Sequence, residues 1–400
     1  MASTATPSHA EGAWQLPDEL RQLKETVADF MRKEIVPEED KLGDPDAYKL
    51  PPDVLERVQA KAREIGLWCL SSPERYGGAE LSLLAEVIVA EEAAQCRMGA
   101  YVPAGAAFGW DPPKVIFKGT EEQIQKYAVP TIEKGEKTYV AISEPSGGSD
   151  PGRAIRTTAK RDGDHYILNG SKTWITGAEA SRWGIVFART GGPGRTGISC
   201  FVVETDSPGF DMHPIPVIRP LSPMELFFEN VKVPAENLLG EENKGFALVE
   251  DWLVHGRVPY AAGTIGVAQA ALRLATDYAK DRKTFGKALA QRQAIQWMLA
   301  DSEIELRAAR GLVYQAAWKA DLGQDYKMEA SICKVYATET AGRVVDRCIQ
   351  ILGGMGVAKE MPLERWYREM RIKRSGEGPS EVHRLVVARN LLGAAARESS

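Results

Sequence analysis

The chain has 400 residues, a formal net charge of −5 at pH 7 and 44% hydrophobic residues, a length that exceeds what one core organises and implies two or three domains. The acidic balance argues against nucleic acid as a partner, and five scattered cysteines and five histidines, with no CxxC or ligand spacing, argue against a transition-metal site. No apolar leader opens the chain and no run of about 18 apolar residues marks a membrane span, so the expectation is a soluble cytoplasmic enzyme with reduced, packed thiols, acting on small molecules.

Residues 1–12 are polar and small, and residues 1–15 read as a disordered lead-in. Over 16–137 the period is helical: Leu20, Leu23, Val27 and Phe30 recur behind Pro17-Asp18-Glu19, and further helices are predicted over 52–65, 81–96 and from Thr120. Over 138–243 the pattern becomes that of strands. Residues 165–169, 183–187, 197–203 and 226–228 are short, β-branched and aromatic, and bounded by Gly, Asp and Pro. They predict an antiparallel β-barrel or sandwich with a hairpin turn at Asp162-Gly163-Asp164. From 244 to 400 the chain is helical again. Ile265, Ala268, Leu272, Ala275 and Ala279 share one face, and Ile295, Leu299, Leu306, Ala309 and Val313 another, as in a helical bundle.

Three stretches could carry chemistry. Glu377 lies between Gly376 and Gly378, which leaves its carboxylate uncrowded; it is either a general base aimed into a cavity or part of a solvated turn before the last helix. Residues 144–150, Glu-Pro-Ser-Gly-Gly-Ser-Asp, offer amide groups to a pyrophosphate or form a plain surface turn. Trp174, two residues before Thr176, either stacks on a planar ring or fills the core.

In order and spacing these stretches resemble the acyl-CoA dehydrogenase family over nearly the whole chain, from about residue 16 to 393. Leu67-Trp68 with residues 73–78 is similar to the family's N-terminal turn, Ser143-Glu144-Pro145 with Gly148-Ser149-Asp150 to its flavin phosphate loop, and Asn169-Gly170 through Trp174-Ile175-Thr176 to its isoalloxazine wall. Residues 233–240, 282–287, 350–354 and Glu377-Gly378 complete the set. The resemblance implies an N-terminal α-domain, a central β-barrel and a C-terminal four-helix bundle, assembled as a homotetramer with one FAD per subunit. It implies that Ser143, Gly148, Ser149, Trp174, Ile175 and Thr176 hold the flavin from within the subunit. Arg282, Thr284, Phe285, Gln293, Gln350, Gly353 and Gly354 would reach the neighbouring subunit's FAD, with Glu381 also near a flavin. Ser149, Arg257, Gly376 and Gly378 would face the substrate.

The implied reaction is α,β-dehydrogenation of an acyl-CoA to a trans-2-enoyl-CoA. Glu377 is the expected base, the flavin the hydride acceptor and an electron-transfer flavoprotein the next electron carrier. Some family members place the base immediately before an arginine matching Arg257, and that position is Gly256. An oxidase of the same fold using O2, and a non-catalytic acyl-CoA-binding member, are the alternatives. Departures from the family pattern are Gly376, where Tyr is common, Pro379 in place of Thr, Ser143 in place of Thr, and residues 217–225. The first implies a widened acyl cavity, and Gly378-Pro379 after the acid resembles a sub-branch of the family acting on longer or substituted acyl chains, which implies a bulky or branched acyl group.

Overall fold

The structure, a computed structural model, describes residues 15–396; the lead-in expected over 1–15 lies outside them apart from Gln15. Three longer helices, Asp18–Phe30, Pro52–Glu64 and Leu83–Ala93, dominate the N-terminal part. Asp18 and Glu19 oppose the N-terminal dipole of the first, while Val27 and Phe30 bury its apolar stripe. Thr120 and Gln123 form a reciprocal capping box where a helix was predicted to begin. Leu83–Ala93 is buried along most of its length, and its first free amides are satisfied from a distance. The Leu83 and Leu84 N–H groups donate to the two oxygens of Asp321 at 2.7 and 3.0 Å, which fixes this helix to the bundle.

The middle of the chain forms an eight-stranded sheet: β1 (Tyr139–Ala141), β2 (Thr158–Asp162), β3 (His165–Ile175), β4 (Trp183–Arg189), β5 (Ile198–Glu204), β6 (Phe210–Pro214), β7 (Met224–Pro234) and β8 (Leu238–Leu239). The spatial order is β6-β7-β3-β2-β4-β5-β8, with β1 beside β4. The sheet is mostly antiparallel as expected, but β1 and β2 run parallel to β4, so it is mixed. The turn after Asp162 pairs Asp162 with His165 across Gly163, whose φ is 61°. Alternation divides β4 and β5 between two cores. Ile185, Phe187, Cys200 and Val202 pack against Trp68, Ile116 and Tyr127, whereas Val186, Ala188, Phe201 and Val203 pack against Tyr139, Tyr166 and Phe228.

Gly245–Asp281, Gln293–Asp321, Lys327–Leu352 and Ser380–Leu392 form the bundle, with Leu363–Lys373 leading into the last of them. The predicted face Ile265, Ala268, Leu272, Ala275 and Ala279 is buried against Leu306, Ala309, Val313, Ala337 and Val344. Small residues on these faces bring the long helices close together. Among the described residues no helix is long and apolar enough to cross a membrane.

Candidate active site

Glu377 sits on the turn between Leu363–Lys373 and Ser380–Leu392. Its φ is 54° and that of Gly378 is 91°, so the chain passes through two successive left-handed residues. Two cations and a histidine hold this turn by its backbone. Arg257 Nε donates to the Glu377 carbonyl oxygen at 3.3 Å, and His383 Nε2 to the same oxygen at 3.0 Å. Lys334 Nζ donates to the carbonyls of Gly378 at 2.6 Å and Arg374 at 3.2 Å. The Glu377 side chain is therefore left for other work. Its Oε2 is enclosed and has no hydrogen-bond partner. Burial raises the carboxyl above its ordinary range, partly offset by the charges of Arg257, Lys373 and Lys334. Among the described residues no backbone or side-chain oxygen accepts from the Glu377 amide N–H. An enclosed carboxylate and a free amide donor thus lie on one residue.

The surroundings correct one expectation, the widened cavity at Gly376. Arg257 binds the Glu377 carbonyl and forms no ion pair with the carboxylate. Gly376 does not open empty space: a Cβ there would overlap the hydroxyl of Tyr260, which occupies the room that a larger residue would need. A Cβ on Gly256 would lie 4.0 Å from Glu377 Oε2, so the alternative position for a base converges on the same point.

Residues 143–150 and 173–176 come together through the Thr173 N–H, which donates to the Ser143 carbonyl at 2.9 Å. Gly148 approaches the Ser143 hydroxyl so closely that a Cβ would lie 2.9 Å from Oγ, while Ser149 is exposed. Beneath this loop the fully buried Lys172 pairs with Glu144 at 2.8 Å, and Glu144 also accepts the N–H groups of Arg156 and Thr157. The β3–β7 register slips between Lys172 and Ile175, and Trp174 has a φ of 65°. That bulge turns the indole outward at 59% exposure, which rules out the core role, while Ile175 stays buried and Thr176 is exposed. A flat exposed ring beside a turn of small polar residues fits a planar cofactor with a phosphate tail. Arg219 links the two groups, its Nη2 donating to Thr176 Oγ1 at 3.2 Å and its guanidinium lying 3.6 Å from the Tyr101 ring centre.

The remaining predicted residues are not brought to this cluster. Arg282, Thr284 and Phe285 lie on the hairpin after Gly245–Asp281, with Phe285 98% exposed. Gln293, Gln350, Gly353, Gly354 and Glu381 are also exposed. Tyr101, Arg219, Tyr260, Lys334, Lys373 and His383 were missed. Only Lys334, a lone charge within Ala-Ser-Ile-Cys-Lys-Val, carries a local signal; Lys373 reads as part of a solvated basic run. The cluster is nearly filled by its own side chains. A larger cavity of about 320 Å³, lined by Asp251, Gln324, Asp325, Tyr326 and Lys327, contains none of the predicted residues.

His383 carries a pH signature. Burial, reinforced by Arg257 and Lys334, lowers its pKa to about 4, so the ring is neutral, with Nε2 protonated to donate and Nδ1 unpartnered. The unfolded chain takes up this proton near pH 6.5, which means that stability is lost as pH falls from there towards 4, by about 3 kcal/mol in total. Denaturant midpoints across that window should fall less steeply in His383→Gln, which keeps a donor and does not titrate.

Comparison with known proteins shows the family. The acyl-CoA dehydrogenase N-terminal, middle and C-terminal domain models match residues 17–135, 140–231 and 243–392. A 3-(aryl)acrylate reductase of Clostridium sporogenes is 39% identical over 92% of this chain and 97% of its own. The CarC subunit of a caffeyl-CoA reductase–Etf complex of Acetobacterium woodii is 37% identical over 93% and 98%. The butyryl-CoA dehydrogenase structure from Megasphaera elsdenii superposes with a TM-score of 0.82 at 32% identity, covering 95% of this chain and 99% of that one. With all three domains matched in order, the chain belongs to the acyl-CoA dehydrogenase family of FAD-dependent oxidoreductases.

Proposed function

We propose that the protein catalyses α,β-dehydrogenation of an acyl-CoA thioester, with Glu377 as the general base. The observation that carries this reading is the enclosed, unpartnered Oε2 of Glu377 beside that residue's own free amide N–H. The carboxylate takes the α-proton while the amide donates to the thioester oxygen, where enolate charge develops. Burial of the carboxyl raises its proton affinity, as this proton transfer requires. FAD, when bound, accepts the β-hydrogen with its electron pair. Ser143, Gly148, Ser149, Trp174, Ile175 and Thr176 hold it from one subunit. The exposed Arg282, Phe285, Gln293, Gln350, Gly353, Gly354 and Glu381, with the half-buried Thr284, complete neighbouring sites in a homotetramer. Exposed Phe285, Trp297 at 62% and Ile304 at 65% support such an interface. An electron-transfer flavoprotein receives the electrons, in a cytoplasmic setting that suits five free, buried cysteines.

The test is the visible spectrum of the purified protein before and after anaerobic addition of short, long, branched and aryl acyl-CoAs. Bleaching of the flavin band supports the reading, and peroxide formed on readmitting air at the turnover rate would favour an oxidase. A yellow protein that no thioester bleaches overturns it. The convergence of Gly256 on Glu377 Oε2 gives a second expectation: Glu377→Gly combined with Gly256→Glu should recover at least about tenfold of the turnover lost in Glu377→Gly alone.

A further inference from the structure

Positive charge outweighs negative charge beyond Glu377. Arg219, Lys373 and Glu369 are buried together, at 8%, 2% and 3% exposure. Each feels the others' charge, yet no ion pair joins them among the described residues. Arg219 Nε and Nη1 have no partner, nor has the Tyr260 hydroxyl or Glu369 Oε1. Lys373 Nζ has one acceptor there, the Ala100 carbonyl at 3.2 Å. Two tyrosine rings hold the cations in place. Lys373 Nζ lies 3.9 Å from the Tyr101 ring centre and 4.0 Å from that of Tyr260, and the Arg219 guanidinium covers Tyr101. Contact therefore runs without a break from Gly376 through Tyr260, Lys373 and Tyr101 to Arg219. A small cavity lined by Tyr101, Arg219, Leu221, Arg365 and Glu369 lies against two of these residues, Arg219 and Glu369.

Buried cations that lack a counter-ion and leave N–H groups unpaired carry a desolvation cost, and a hydrocarbon chain end would leave that cost in place. Three of the four free groups, the two Arg219 nitrogens and the Tyr260 hydroxyl, can donate, which calls for an acceptor. Two cations against one carboxylate call for an anion, and the planar fork of Arg219 matches a carboxylate. We propose that Arg219 and Lys373 form a carboxylate-binding subsite, and that the preferred substrate is the thioester of a short dicarboxylic acid whose free end they hold while Glu377 faces the α-carbon. This rests on the dehydrogenase reading above; the subsite itself takes part in no bond change. It predicts a short polar acyl group in place of the bulky or branched one expected from the sequence around Glu377.

The experiment uses the FAD-loaded Glu377→Gln protein, in which binding is separated from turnover. Calorimetric titration compares the CoA mono-thioester of a five-carbon dicarboxylic acid with the thioester of the five-carbon monocarboxylic acid. The carboxylate-ended ligand should bind at least about tenfold more tightly. Adding Lys373→Met or Arg219→Gln should remove most of that preference while changing the monocarboxylic affinity less than about threefold. Equal or tighter binding of the methyl-ended ligand overturns the proposal. Equal weakening of both ligands in both variants assigns the cations to structure, and loss of the yellow colour from both assigns them to cofactor retention; either result also overturns it. In the unmodified enzyme, flavin bleaching by the monocarboxylic thioester alone would remove the subsite and leave the dehydrogenase reading intact. Bleaching by no thioester would remove the reading itself.

Discussion

Glu377→Gln is expected to purify yellow, with its assembly unchanged, and to turn over acyl thioesters roughly a thousandfold more slowly, since a positioned base contributes about 10²–10⁴-fold and the amide cannot take the proton. The structure gives a reason for the fold to survive. Arg257, His383 and Lys334 grip the carbonyls of Glu377 and Gly378, so the turn does not depend on the side chain that is changed. Glutamine preserves shape and leaves the amide donor in place. Stopped-flow bleaching of the flavin band under anaerobic conditions is the measurement. Near-normal rates would remove Glu377 from the base role, and an exposed Glu381 would be a poor replacement.

Lys172→Met should produce the largest loss of stability. The ammonium is fully buried, donates to Glu144 at 2.8 Å and to the Ile142 carbonyl at 3.1 Å, and faces a carboxylate that is itself 4% exposed. Burial alone would raise the Glu144 pKa, but Lys172 and the Thr157 and Arg156 amides outweigh it and hold the carboxyl below its ordinary range. Removing the cation leaves a desolvated carboxylate, at a cost of about 3–5 kcal/mol. The effect should extend to the cofactor, because Glu144 supports the loop that carries Ser143 and Gly148. Denaturant melts and retained FAD per subunit read the two consequences. Glu144→Gln in the Lys172→Met background should restore part of the stability, and strictly additive losses would show that the pair is not coupled.

Much of the fold is legible in the sequence because its signals are local. Pro17-Asp18-Glu19 opens a helix wherever the apolar period follows, and Ile265 through Ala279 buries one face because the period is unbroken. The strands that the sequence pattern did not give were β1, β2, β6 and β8, which are short and lack a full alternation. The site divides in the same way. Glu377 stands out between two glycines, but the outward turn of Trp174 depends on a register slip against β7, which no local pattern reports. Arg219, Tyr260 and Lys373 lie far apart in the chain, and only the packing of the last helices against the sheet brings them together.

The left-handed backbone at Glu377 has a consequence for selection. A side chain at a φ of 54° carries a conformational cost of about 1 kcal/mol that glycine does not, and this one also encloses an unpartnered carboxyl oxygen. Replacement by glycine would relieve both. A screen that rewarded heat resistance alone would therefore favour discarding the reactive residue, and a lineage that keeps Glu377 against that gradient is one in which the chemistry is still under use.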